Sequence, residues 1–145
     1  MTEELFTDPQ RAFLTTQRVA RLASADAAGR PHVVPVCYAC DDQLVFIALD
    51  EKPKRVAAPE LKRVRNIREN PRVALVVDHY SDDWTQLAFV LIHGTATLLA
   101  VGVPEHAHAV ALLRERYPQY RAMRIEEQSV IAIQPEKVVA WGALP

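Results

Sequence analysis

The chain has 145 residues, half of them hydrophobic and 24% charged, with a net charge of −1. That length suits one domain, 1–145, with a core that needs no disulfide staples, and two cysteines, Cys37 and Cys40, exclude a disulfide framework. The near-zero charge speaks against a general nucleic-acid surface, and no run approaches the roughly 18 apolar residues of a membrane helix.

In chain order, the acidic start through Gln17 does not read as a signal peptide, so a cytoplasmic protein is expected. A short helix is predicted over 8–17, capped by Thr7 or Asp8, with Pro9 in its first turn. Strand signals follow over 18–24, then the turn Asp26-Ala27-Ala28-Gly29, then a strand over 31–39. On that strand His32, Val34, Val36 and Tyr38 share one face, and Val33, Pro35 and Cys37 share the other. Pro35 cannot donate to a ladder, which predicts an edge or a bulge. Asp41-Asp42-Gln43 turns into a third strand over 44–49, and the three strands read as a meander.

A basic loop comes next, then a helix over 59–69 whose buried stripe is Leu61, Val64 and Ile67, with Lys62, Arg63, Arg65 and Arg68 turned elsewhere. Asn70-Pro71 stops it. The apolar run 73–77 reads as a central strand, 79–85 as a polar loop ending near Trp84, and 87–99 as a long strand bent at Gly94. A helix over 104–117 presents Val110, Leu113 and Tyr117 on one face, and two strand pieces, 129–133 and 137–141, flank Pro135. This order predicts a mainly β (α+β) fold, a six- to seven-stranded antiparallel barrel with flanking helices.

Few motifs carry chemistry. Cys37-Tyr38-Ala39-Cys40 lacks the second ligand pair of a zinc site and the helix start of a redox site, so both cysteines read as small hydrophobes. His106 and His108, two apart on a helix, cannot readily share a metal and read as solvent-facing. No metal site is expected. Four glycines form no phosphate-binding loop, so a bound phosphate must be held by side chains. The segment 52–72 carries eight basic residues against Glu60 and Glu69, and Lys52-Pro53-Lys54-Arg55 is its best phosphate anchor; the alternative is a solvated basic loop. Tyr80 and Trp84, in the loop Asp78 to Trp84, would be costly to expose without a planar ligand or a partner subunit.

Val19 to Ala23, Gly29 to Val36, Lys52 to Arg55, Asn66 to Val73 and Asp78 to Trp84, in that order, resemble the pyridoxamine 5'-phosphate oxidase-like split β-barrel superfamily. Within it they are most similar to the deazaflavin (coenzyme F420)-dependent oxidoreductases. The resemblance implies a homodimer with two cofactor sites at its interface. It places Lys52, Pro53, Lys54 and Arg55 at the cofactor phosphate. Val34, Pro35 and Val36, with Ile47 and Ala48, would line the ring, and Trp84, Phe89 and Trp141 would lie near it, Trp84 or Phe89 from either subunit. The oxidases carry an arginine-rich C-terminal segment where this chain has Trp141 to Pro145, so vitamin B6 oxidation is not expected. Phe89 stands at the place of a ring-contacting glutamine, which weakens the case for FMN. The expected activity is hydride transfer from reduced coenzyme F420 to a small conjugated substrate. The alternatives are an FMN-binding reductase or oxidase of the same fold and a non-enzymatic cofactor- or tetrapyrrole-binding protein.

Overall fold

The computed structural model describes residues 5–49 and 61–145. Helix α1 (Asp8–Thr16) begins in a capping box: the Thr7 side chain accepts from the Gln10 amide, and the Gln10 side chain accepts from the Thr7 amide. Strands β1 (Ala20–Ala25) and β2 (Pro31–Val36) form a hairpin whose turn needs Gly29 at φ 81°. Asp26 anchors that turn, accepting from the Ala28 and Arg30 amides and pairing with the Arg30 guanidinium at 2.7 Å. Strands β3 (Ala39–Cys40) and β4 (Val45–Ala48) make a second small hairpin around Asp41.

Helix α2 spans Lys62–Glu69 and stops at Asn70, as the sequence predicts. Strand β5 (Arg72–His79) runs antiparallel to β6 (Ala88–Leu99), which pairs along its length with β7 (Val130–Gly142). Helix α3 (Pro104–Arg116) and the short 3-10 helix Pro118–Ala122 lie between β6 and β7. Gly94 sits at the register shift between β6 and β7, where a Cβ would collide with the carbonyl of Gln134.

Three expectations are corrected. The first three strands are not a meander: the sheet order is β2-β1-β5-β6-β7-β4-β3, so β4 pairs with β7 rather than with β2. Pro135 does not split the last strand, because the bulge at His93/Gly94 absorbs the irregularity and β7 runs through. His106 is buried rather than solvent-facing, its Nε2 2.6 Å from the carbonyl of Gln128. His108 is exposed and reaches Asp41.

The sheet order fixes the shape. β2 and β3 lie at opposite edges of a seven-stranded sheet, yet only Cys37 and Tyr38 separate them in the chain. Val36 and Ala39 therefore stand within about 11 Å of each other, three Cα steps of 3.8 Å. Only a curled sheet brings its two edges that close, and no ladder joins them. The result is a half-barrel with a seam at Cys37-Tyr38.

The inner face carries the row Val34, Leu22, Leu75, Ile92 and Val138, closed by Phe6, Phe13 and Leu14 of the N-terminal segment and Val64 and Ile67 of α2. A second core lies between α3 and the outer side of β4 and β7, built from Phe46, Ala48, Val110, Leu113, Tyr117, Tyr120, Val130 and Ala132. β4 and the first four residues of β7 are thus buried on both faces.

Candidate functional site: the barrel seam

The seam is pinned by tyrosines. The Tyr38 hydroxyl donates to the carbonyl of Leu14 at 2.6 Å and holds the end of α1. The Tyr117 hydroxyl accepts from the Tyr38 amide at 3.1 Å and lies 2.8 Å from the carbonyl of Arg18. Arg116 crosses behind them, 4.7 Å above the Tyr38 ring, and donates to the carbonyls of Leu14 and Gln17. Burial raises the pKa of both tyrosines above the ordinary phenol value, so both stay neutral donors. Burial likewise pushes the Cys40 thiol up to about 12, which leaves it inert near neutral pH.

Of the clefts that open along this seam, two share Val19 and Cys37. The smaller, about 150 Å³, is a bench of Pro35, Val36 and Ala48 with Arg63 of α2 at its side. The buried Nε of Arg63 has no hydrogen-bond acceptor among the described residues. A buried guanidinium nitrogen without an acceptor is costly. A ligand bearing carbonyl or phosphate oxygens would supply one. An apolar bench beside a cationic donor fits a flavin or deazaflavin ring. Pro35 would face the ring, the core residues Val36 and Ala48 would border it, and Arg63 would meet its oxygens. The larger cleft, about 610 Å³, runs under the end of α3, where Tyr117, Tyr120 and Met123 form the wall and Arg18 and Arg116 supply charge.

The structure brings some of the expected residues together and not others. Pro35, Val36 and Ala48 line the bench. Val34 and Ile47 turn their side chains into the barrel core, so they can serve a ring only through the main chain. Phe89 and Trp141 stack on each other at 6.0 Å on the outer face of β6 and β7, and Trp84 stands 72% exposed in the β5–β6 loop; none of the three lines either cleft. Lys52, Pro53, Lys54 and Arg55 lie outside the described residues.

Arg63, Cys37, Val19 and the corner Arg116–Met123 escaped sequence reasoning. Arg63 neighbours the buried Val64 on α2, and a cation beside a buried stripe reads as solvent-facing. Cys37 continues the outward alternation of Val33 and Pro35, a signal present in the sequence but without chemistry of its own.

A half-barrel of this topology with an open seam is a split β-barrel. The chain belongs to the pyridoxamine 5'-phosphate oxidase family, whose pattern matches residues 6–142. It is similar to a 5a,11a-dehydrotetracycline/5a,11a-dehydrooxytetracycline reductase of Streptomyces rimosus, 32% identical over 138 residues that cover 94% of this chain and 83% of the relative. Among solved structures it is similar to a FAD-binding protein of Mesorhizobium loti, with a TM-score of 0.66, 26% identity and 88% of each chain covered. It also shares its fold with HutZ, a haem storage protein of Vibrio cholerae, with a TM-score of 0.73, 17% identity, and 97% of this chain and 95% of that one covered.

Proposed function

We propose that the protein is an oxidoreductase that uses reduced coenzyme F420 to reduce a conjugated small molecule, with the cofactor ring on the seam bench. The observation that carries this reading is the bench itself: an apolar wall, a cationic side chain whose buried Nε lacks an acceptor among the described residues, and a larger cleft directly adjoining it. Family membership, a relative named as a reductase and a neighbour named as FAD-binding support redox chemistry over storage alone. Lys52, Lys54 and Arg55 would anchor the cofactor phosphate.

When bound, the reduced cofactor supplies a hydride, and a proton from solvent completes saturation of one conjugated carbon–carbon double bond. The chain's own residues hold and orient. Pro35, with Val36 and Ala48 at its border, would keep water off one ring face, Arg63 would orient the ring through its oxygens, and the Tyr38–Tyr117 hydrogen bond holds the seam beside the bench.

The reading includes a homodimer. The outward row Pro35, Arg21, Val76, Leu91 and Val139 runs across five strands and is largely apolar, with Val33 and Trp141 exposed beside it at 64% and 55%. A second copy would cover this face and carry Trp84, Phe89 and Trp141 toward a neighbouring bench.

The phosphate anchor is tested by Lys54→Ala combined with Arg55→Ala. Cofactor affinity is expected to fall at least tenfold while the dimer persists in sedimentation. Unchanged affinity removes those residues from the site.

A further inference from the structure

The larger seam cleft is assigned by nothing so far. At about 610 Å³ it falls in the range of pockets that take a drug-sized molecule, about 300–1,000 Å³. The bench, at about 150 Å³ within one subunit, does not reach that range. The wall is apolar. Tyr117 and Tyr120 meet edge to face at 5.5 Å, and Pro118 and Met123 extend the surface.

The charge of the cleft has one sign. Arg18 donates from Nη1 to the carbonyl of Arg116 at 2.7 Å and lies 5.8 Å from the centre of the Tyr117 ring. Arg116 is held by the carbonyls of Leu14 and Gln17 and by the Tyr38 and Tyr117 rings. Among the described residues, no carboxylate forms an ion pair with either guanidinium. Carbonyl oxygens accept from both guanidinium groups without cancelling their charge, the buried Nε of Arg116 has no acceptor among the described residues, and Glu115 lines the adjoining cleft with both arginines rather than this one. Arg116 is fixed behind the wall, whereas Arg18, though its Nη1 is held by the Arg116 carbonyl, is exposed at the mouth. Val19 and Cys37 belong to both clefts, so a molecule in the trough ends where a ring on the bench begins.

We propose that this trough is the acceptor site and that it selects organic anions with an apolar body (carboxylates, enolates or phenolates), with Arg18 as the anion contact and Val19, Pro118 and Met123 as the accessible apolar wall. This rests on the oxidoreductase reading for the word acceptor; the binding preference itself does not.

The test uses the purified full chain and two fluorescent probes of one shape, anthracene-2-carboxylate and its uncharged methyl ester. The carboxylate is expected to bind more tightly than the ester. Arg18→Gln should weaken the carboxylate at least tenfold and leave the ester unchanged, and Arg18→Lys should recover part of the loss. Met123→Trp, which fills the trough from its wall, should abolish binding of both probes. Coenzyme F420 affinity, measured on the same preparations, should be unaltered by either substitution. Full carboxylate affinity in Met123→Trp, or an equal effect of Arg18→Gln on acid and ester, would overturn the assignment. Probe binding with this pattern in a wild-type protein that binds no F420 would uphold the anion trough and refute the cofactor reading, so the two claims fail separately.

Discussion

The two halves of the sheet are built on opposite terms. β4 and the start of β7 are buried on both faces, with Val45, Ile47, Ile131 and Ile133 turned into the barrel and Phe46, Ala48, Val130 and Ala132 turned under α3. β1, β2, β5, β6 and the end of β7 are buried on the inner face alone, and their outer face carries Val33, Val76, Leu91, Val139 and Trp141 without a covering helix among the described residues. The same strand, β7, changes from one condition to the other at Gln134-Pro135, opposite the bulge at Gly94. The covered half is finished within one chain. The open half is what a second subunit would finish, and the seam clefts lie where the curled sheet fails to close.

The difference makes the halves respond differently to substitution. The largest effect is expected under α3. Phe46→Ala should cost about 3–5 kcal/mol by chemical denaturation, because the ring is 1% exposed and its neighbours cannot collapse into the space. A cost below about 1 kcal/mol would mean that the second core is loosely packed. Next comes the seam. Tyr117→Phe should cost about 1–3 kcal/mol, since the Tyr38 amide and the Arg18 carbonyl lose their buried partner. On the open face, Leu91→Glu should change the stability of the folded subunit by no more than about 0.5 kcal/mol, yet convert a dimer to a monomer in sedimentation. A monomeric wild-type protein would break the comparison at that point.

The smallest effect concerns acid. The Arg30 guanidinium, with two backbone amides, holds the Asp26 carboxyl at about 2 against an ordinary 3.8. A depressed folded-state pKa contributes stability only above the unfolded-state value, so this contribution is present at neutral pH and is lost as pH falls from about 4 to about 2. Asp26→Asn should flatten the stability profile in that window and leave its shape at pH 6–8 alone. An unchanged acid limb would remove Asp26 from the account.

Much of the architecture was legible in the sequence, and the reasons for what was not are specific. The periodicity of Leu61, Val64 and Ile67, the Gly29 turn and the Gly94 bend are local signals, and the structure keeps all of them. The pairing of β4 with β7 joins Ile47 to Ile131 across more than eighty residues, and no local pattern encodes it. A tight turn after Cys40 reads equally well as a meander. His106 looks like a surface residue until Gln128, brought under α3 by the 3-10 turns, offers its carbonyl. At the site, alternation placed Pro35 and Val36 on opposite faces of an edge strand, but the seam that makes a cleft of them appears only when the sheet curls. The loop Lys52 to Arg55 was legible as a charged candidate for a phosphate anchor, a reading its cations offered and the resemblance reinforced, and it lies outside the described residues.

The most direct test of the cofactor claim is an equilibrium titration of the purified apoprotein with coenzyme F420 and, separately, with FMN, each repeated on Arg63→Ala. Clear preference for the deazaflavin, with at least a tenfold loss in Arg63→Ala and no loss of fold, is the predicted result. Binding of neither cofactor, or F420 binding that is indifferent to Arg63, would contradict the account of the seam bench.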